Sequence, residues 1–485
     1  MKHFSSRGRA AFLSLGASFV ACSSGGSSTP PDAGVIVIEA GSHKHDSGGH
    51  DAAPDSKAEA GDHGAVSTTY PAFTVDMPSI VANQGTVLKS PVIVTVTWPA
   101  QDSNAATWEA MGDAIGSSTY WSATTAAYGV GSATSGSSNH VRMTEPLPSS
   151  MSYYALADVV SAALGVKADG GVPDAGSADA GDAGANPAWP APTSAGGNVQ
   201  TIYALFVPAG VSVVDPGSGM PLCTEGGLGY HDNVTLGSGA PVAYAVTLEC
   251  SGQTVPDLEE TVAHEYVEAA TNPYPSTSSL GYVGFDADHL SWALYTGFND
   301  ELADACQNWA ASYYQESSSF PYWVQRSWSN VHAAAGYDPC APRAAVAYQG
   351  ITLFPAQQST VMVNLTDIGL STMSTKGFTA QVGQTVTFQV GFYSDASTGP
   401  WTIGYDFPSM TQLFNTMGAT VTNGAATVTI DKTSGQNGEK ANISVTPTTA
   451  GPLGFQLMAI TWDPPTGAAA SMYLPRYAPV IISNK

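Results

Sequence analysis

The sequence predicts an α/β domain, a mixed sheet flanked by helices, followed by an all-β sandwich, and three observations carry that expectation. In the first part of the chain, apolar β-branched runs alternate with helical patterns, which is how a helix-covered sheet reads. After Pro342 the texture changes to short alternating strands separated by Gly, Pro, Asn and Asp, the signature of an Ig-like sandwich. The composition agrees: 485 residues with 43% hydrophobic and 11% charged side chains, 51 Gly and 32 Pro exclude a coiled coil and a wholly disordered chain.

The elements follow in order. Pro91 to Trp98 (PVIVTVTW) reads as a buried strand, and Asn104 to Ile115 as a helix with Trp108, Met111 and Ile115 on one side. Tyr153 to Leu164 is a second helix and Val199 to Val207 a second buried strand. Between them, residues 168–197 carry Asp169, Asp174, Asp179 and Asp182 in Asp-Ala-Gly units and read as a disordered insertion. The α/β domain is expected over 71–342 and the sandwich over 343–485, with strands around Val361, Val386, Val428, Ile443 and Phe455.

The amino terminus reads as an address. Lys2, Arg7 and Arg9 precede an apolar run from Ala10 to Ala21, the layout of a secretory signal. The run is shorter than the roughly 20 residues that cross a bilayer. It stops at Val20-Ala21-Cys22-Ser23, similar to a bacterial lipoprotein signal, so residues 1–21 are expected to be removed and Cys22 to carry lipid. Residues 22–70, rich in Gly, Ser, Asp and His (His43, His45, His50, His63), read as a solvated tether. Ser23 in place of Asp suits an outer-membrane lipoprotein, extracytoplasmic, facing the periplasm or the cell surface. The expected contact with a membrane is the lipid itself. A formal charge of −24 argues against nucleic acid.

With Cys22 lipidated, four cysteines remain in an oxidising compartment, and the sequential pairing Cys223 to Cys250 and Cys306 to Cys340 is expected. No thiol is then left as a nucleophile. Serine chemistry has no G-x-S-x-G to stand on.

The chemistry concentrates in Thr254 to Asn272 (TVPDLEETVAHEYVEAATN). Thr254 can cap a helix whose first turns hold Pro256, Asp257, Glu259 and Glu260, and Pro273 follows its end. Within it, His264 and Glu268 are four apart, so an imidazole and a carboxylate share one face. This is the H-E-x-x-H zinc helix with a carboxylate for the second imidazole, a zincin-like pattern. Glu265 is then the general base beside a metal-bound water. Further ligands are expected from Asn299 to Cys306 (NDELADAC), where Glu301 and Asp304 stand three apart on a helical turn fixed by Cys306; His231 and His289 are the other candidates. Zn2+ is the expected ion, with Ca2+ or another hard divalent cation as the alternative.

Several of these motifs in this order resemble the EXORDIUM, or phosphate-induced, family of plant extracellular proteins and its bacterial relatives. They are Cys223, Gly229-Tyr230-His231, Tyr244-Ala245-Val246, Cys250, Ala263-His264-Glu265-x-x-Glu268-x-x-Thr271-Asn272-Pro273, Glu301-x-x-Asp304-x-Cys306, Val324 to Asn330 and Cys340. Pro91 to Trp98 and Ser118 to Tyr128 extend the likeness over most of 85–342. It implies a secreted surface protein whose helix keeps the His-Glu-x-x-Glu pattern. Two functions from different classes follow: a monomeric zinc-dependent metallohydrolase, a peptidase, or a non-catalytic protein that binds cell-wall glycan or protein through its Trp and Tyr side chains.

Overall fold

Strand β1 (Val92–Thr97) is β-branched at every position, and such residues fit a pleated sheet buried on both faces. It opens a five-stranded sheet with β2 (His140–Arg142), β3 (Thr201–Val207), β4 (Gly229–Thr235) and β5 (Pro241–Leu248), in the order β2-β1-β3-β5-β4. A computed structural model describes residues 62–166, 186–296, 301–307, 312–343, 348–355, 360–363, 372–406, 426–448, 455–462 and 476–483. The expected signal, Cys22 and most of the tether lie outside the described residues.

Strands β2, β1, β3 and β5 run parallel, and β4 alone runs antiparallel to its neighbour. The connections explain this. Helix α1 (Ala105–Ile115) lies between β1 and β2 and α2 (Tyr153–Ala163) between β2 and β3, crossovers long enough for parallel pairing. From β4 to β5 the chain has only a tight turn, closed by Leu236 N–H to Ala240 O at 2.9 Å, and a tight turn pairs strands antiparallel.

Residues alternate between the sheet's two faces with period two. Ile93, Ile202, Ala204, Phe206, Ala243 and Ala245 join one buried cluster with Trp108 and Met111 of α1; Trp108 stacks on Phe206 with ring centroids 5.2 Å apart. Val94, Val96, Tyr203, Leu205, Tyr244 and Val246 join another with Leu156 and Val160 of α2. The first face also receives α3 (Val255–Thr271) through Val262, Tyr266 and Val267. Thr254 N–H donates to Asp257 Oδ2 at 2.8 Å, which fixes the first turn of α3 as its sequence suggested. A hairpin of β6 (Tyr313–Ser317) and β7 (Phe320–Gln325) follows, with β7 packed along α3, so every α3 residue from Leu258 to Thr271 is buried.

Beyond Pro342 two sheets share a core. Tyr348–Leu353, Val386–Ser394, Lys440–Pro447 and Ala426–Ile430 form one, wholly antiparallel. Phe378–Thr379, Arg476–Ser483, Phe455–Trp462, Trp401–Asp406 and Ser434–Gly435 form the other. Val390, Phe392, Ile443 and Val445 meet Trp401, Ile403 and Ile482 between them. One edge pair is parallel, Phe378–Thr379 with Arg476–Ser483; these strands are remote in sequence, so no hairpin fixes their direction. Ile351, Val361, Val363, Tyr393 and Ile481 belong to the same buried cluster as Leu290 and Trp292, so the two regions are joined by apolar packing.

Two boundaries are corrected. The expected tether, 22–70, is ordered at its end: Lys440 N–H donates to His63 O at 2.7 Å and Ser67 N–H to Asn437 O at 2.7 Å, so the backbone of 63–67 is held by the β-rich region. The expected insertion, 168–197, is ordered from Asn186 onward. Asn186 Oδ1 accepts from Thr144 N–H at 3.1 Å, and Trp189 is buried against Tyr203. Composition marked both stretches as solvated, and it is blind to backbone pairing and to a single Trp anchor. Among the described residues no helix is long and apolar enough to cross a membrane.

Candidate metal centre

Helix α3 places five acid or imidazole side chains in the interior: Glu259, Glu260, His264, Glu265 and Glu268 are all buried. Buried charge is costly unless it is paired or ligated. The 264, 265, 268 group finds its partners on two other elements. Strand β4 brings His231, and the segment entering α4 (Asp304–Gln307) brings Glu301 and Asp304.

His264 Nε2 lies 3.1 Å from Glu268 Oε2 and 3.4 Å from Asp304 Oδ1. The ring's other nitrogen is committed, since His264 Nδ1 donates to Gln325 Oε1 at 3.0 Å. That bond leaves Nε2 facing the two carboxylates, the arrangement by which metal-binding imidazoles are oriented. Gln325 is itself fixed, because its Nε2 donates to Ala303 O at 2.7 Å. Glu268 is fixed too: Oε1 accepts from the backbone N–H groups of Ala303 and Asp304, each at 3.1 Å, leaving Oε2 to face the imidazoles.

His231 repeats this logic on the other side. Its Nε2 donates to Asn272 O at 3.0 Å, and its Nδ1 stands 3.6 Å from Glu265 Oε2 and 3.8 Å from Glu268 Oε2. Glu301 Oε1 is 3.6 Å from His231 Nε2 and accepts from the Asn272 side-chain amide. The backbone of β4 passes close to the helix: a Cβ at Gly229 would lie 2.7 Å from Glu265 Oε1, so a side chain there would push the two apart.

His264, Glu268 and Asp304 form one set of donors within 4.8 Å of one another, and His231, Glu268 and Glu301 form a second. The sequence expectation grouped Glu301 with His264. The structure places Glu301, which precedes the helix that Asp304 begins, beside His231, and Asp304 beside His264. Among the described residues no Lys or Arg lies within ion-pair distance of Glu265, Glu268, Glu301 or Asp304. Burial and repulsion from Glu268 and Asp304 outweigh the pull of His231 and push the Glu301 carboxyl up to about 8. Burial and the Asp304 charge raise Glu268. Against burial, the carboxylates around it, Glu301 foremost, hold His231 at about 10, and Glu268 foremost, with Asp304, raises His264 well above its ordinary value. Glu265 Oε2 is buried without a hydrogen-bond partner among the described residues.

His289, weighed as a ligand, sits elsewhere: its Nδ1 bonds Asp286 Oδ1 at 2.7 Å, near Asp76 and Lys376. Sequence reasoning missed Gln325 and the Asn272 carbonyl, and neither carries a local signal. The disulfides join Cys223 to Cys250 and Cys306 to Cys340, as expected; the second ties α4, directly after Asp304, to the Cys340–Ala341 strand. No protein-family model, curated protein or solved structure matches this chain.

Proposed function

We propose that the chain is a lipid-anchored extracytoplasmic metallohydrolase, a zinc-dependent peptidase, that uses His264, Glu268 and Asp304 as ligands and Glu265 as general base. The observation that carries this reading is the buried Glu265 Oε2, without a hydrogen-bond partner among the described residues, beside a His/Glu/Asp donor set. Its nearest charged neighbour is His231 Nδ1 at 3.6 Å, beyond hydrogen-bond distance, and a water molecule at the centre would give it a hydrogen-bond partner. The donor set fits Zn2+, which takes imidazole nitrogen and carboxylate oxygen at similar distances of about 2.0–2.2 Å. A bound Zn2+ would supply Lewis acidity, lowering the pKa of water and polarising a substrate carbonyl.

The chain's own groups do the rest. Glu265 accepts the proton of the attacking water and returns it to the leaving amine. Gln325 and the Ala303 and Asp304 amides hold His264 and Glu268 in register through that transfer. A mostly parallel sheet with one antiparallel edge strand running beside the His-Glu-x-x-Glu helix supports a zincin-like reading of the first region. Two sheets facing across one core support an Ig-like reading of the second. The EXORDIUM-like motif order supports a surface location, as does the lipoprotein-like start.

Elemental analysis of the purified protein together with a fluorogenic peptide library is the test. Glu265→Gln is expected to keep its zinc and to lose hydrolysis by at least 100-fold, the scale of a lost general base. Equal turnover in that variant removes the base assignment, and a protein that takes up no zinc removes the metal reading. A second reading, a non-catalytic surface module binding glycan or protein, is favoured by the burial of the donors, whose side chains are at most 15% exposed. Zinc uptake with no hydrolysis of any peptide would favour it.

A further inference from the structure

We infer that the centre holds two divalent cations bridged by Glu268. This deepens the reading above and rests on it for the first ion, held by His264, Glu268 and Asp304. The second is held by His231, Glu268 and Glu301.

Three observations carry the second ion. The two donor sets share Glu268 and nothing else, so the donors fall into two groups around one carboxylate. Glu268 is oriented for bridging: the amides of Ala303 and Asp304 occupy Oε1, and Oε2 faces His264 Nε2 at 3.1 Å and His231 Nδ1 at 3.8 Å. His264 gives Nδ1 to Gln325 Oε1 and turns Nε2 to Glu268 and Asp304, and His231 gives Nε2 to Asn272 O and turns Nδ1 to Glu265 and Glu268, with Glu301 Oε1 3.6 Å from Nε2. One imidazole prepared in this way is explained by one ion; two prepared in the same way, on opposite sides of a shared carboxylate, call for two.

Charge counting agrees. Glu265, Glu268, Glu301 and Asp304 bring four negative charges when ionised, with no Lys or Arg beside them among the described residues. One divalent cation balances half of that charge and leaves the rest to the imidazoles, and two balance it without them. Glu265 Oε2, buried, without a hydrogen-bond partner and 3.6 Å from His231 Nδ1, points to the second ion's side of the centre. Paired ions in hydrolases stand about 3.5–4 Å apart and clamp the attacking and departing oxygens of one substrate. Glu265 keeps its role as base in that arrangement.

The test is metal stoichiometry on the full chain, stripped with chelator and reloaded with Zn2+, and separately with Mn2+ for electron paramagnetic resonance. Wild type is expected to bind two Zn2+ per chain, and the Mn2+ form to show the exchange-coupled spectrum of a close pair. His231→Ala and, from the more exposed edge of the site, Glu301→Gln are each expected to retain one ion and an uncoupled Mn2+ spectrum. Glu268→Ala is expected to lose both ions. A wild type binding a single ion, unchanged in Glu301→Gln, overturns the second site and leaves the first intact. A wild type binding none overturns both. Circular dichroism of each variant identifies any that fail to fold, and Glu301→Gln keeps the test decisive should His231→Ala do so.

Discussion

The molecule contains two histidine-acid clusters, and they have solved the same electrostatic problem in opposite ways. At the junction with the β-rich region, Lys376 Nζ lies 2.6 and 2.7 Å from the two Asp76 oxygens, and His289 sits between Asp286 and Asp76. Two acids face two bases. Although burial opposes it, the hydrogen bonds from His289 and Lys376 hold the Asp76 carboxyl down at about 2, and the His289 hydrogen bond and charge, with the Ser79 N–H, lower Asp286 against burial. In the α3 cluster four acids face two imidazoles, and the Glu268 and Glu301 carboxyls move the other way, upward. Depressed carboxylates mark a cluster that carries its own cation. Raised ones mark a cluster that is short of positive charge, which the proposed metal ion would supply.

The sharpest way to break this contrast is to remove metal. Binding to the folded state alone stabilises it by about 2.7 kcal/mol at 100 times Kd and about 4.1 kcal/mol at 1,000 times. Chelator is therefore expected to lower the stability of wild type by about 3–4 kcal/mol, and to leave Glu268→Ala, which starts without metal, unchanged. Chemical denaturation with and without chelator measures this. A wild type indifferent to chelator places both clusters in the self-neutralised class.

The pH dependence separates the clusters next. Asp76 has its pKa lowered from 3.8 to about 2, so its stabilisation is present above about pH 4 and is lost as pH falls toward 2. In the metal-free centre the signs reverse. Glu301, raised from 4.5 to about 8, binds a proton in the folded state that the unfolded chain has released, so stability falls as pH rises through that interval. His231, raised from 6.5 to about 10, stabilises fully below 6.5 and loses this as pH rises toward 10. Metal-free protein is expected to be less stable at pH 9 than at pH 6. Zn2+ affinity is expected to rise over the same range, because binding displaces these protons. Thermal unfolding across pH, with chelator and with Zn2+, reads both, and parallel curves would contradict the contrast.

How much of this was legible beforehand follows from where each contact is made. The His264 to Glu268 spacing is local, and helical periodicity alone puts the two on one face. Asp304 was readable because a cysteine two residues on suggested a fixed turn near the site. His231 was one candidate among several, because it arrives on an edge strand whose neighbours are set by long-range pairing, and the order β2-β1-β3-β5-β4 has no trace in local sequence. Gln325 lies in FPYWVQ, where nothing distinguishes it from any buried polar residue of a strand. The docking of 63–67 was hidden because backbone hydrogen bonds, which any composition can make, hold it.

Gln325 offers a smaller perturbation confined to the metal side of the comparison. Its Oε1 holds His264 Nδ1–H, and loss of such an outer partner costs about 10–100-fold in metal affinity. Gln325→Leu is expected to weaken Zn2+ binding by that factor, and Gln325→Glu, which keeps an acceptor, to preserve it. Competition with a chromogenic chelator measures both; equal weakening in the two variants assigns Gln325 to holding the Ala303 turn instead.

The smallest expected effect lies at the junction. Lys376 pairs with an Asp76 side chain that is 36% exposed, so solvent screens the pair and its worth is about 1 kcal/mol, less in high salt. Lys376→Met keeps the aliphatic stem and removes the charge. It is expected to lower stability by about 1 kcal/mol, to bring the acid loss to higher pH because Asp76 has lost a partner, and to leave zinc content and affinity untouched. The last result matters most, since the junction and the centre share no side chain in their ion pairs. A Lys376→Met protein with altered zinc affinity would mean that the β-rich region acts on the centre through the packing between Trp292 and Ile351, and the two clusters would have to be treated as one coupled system.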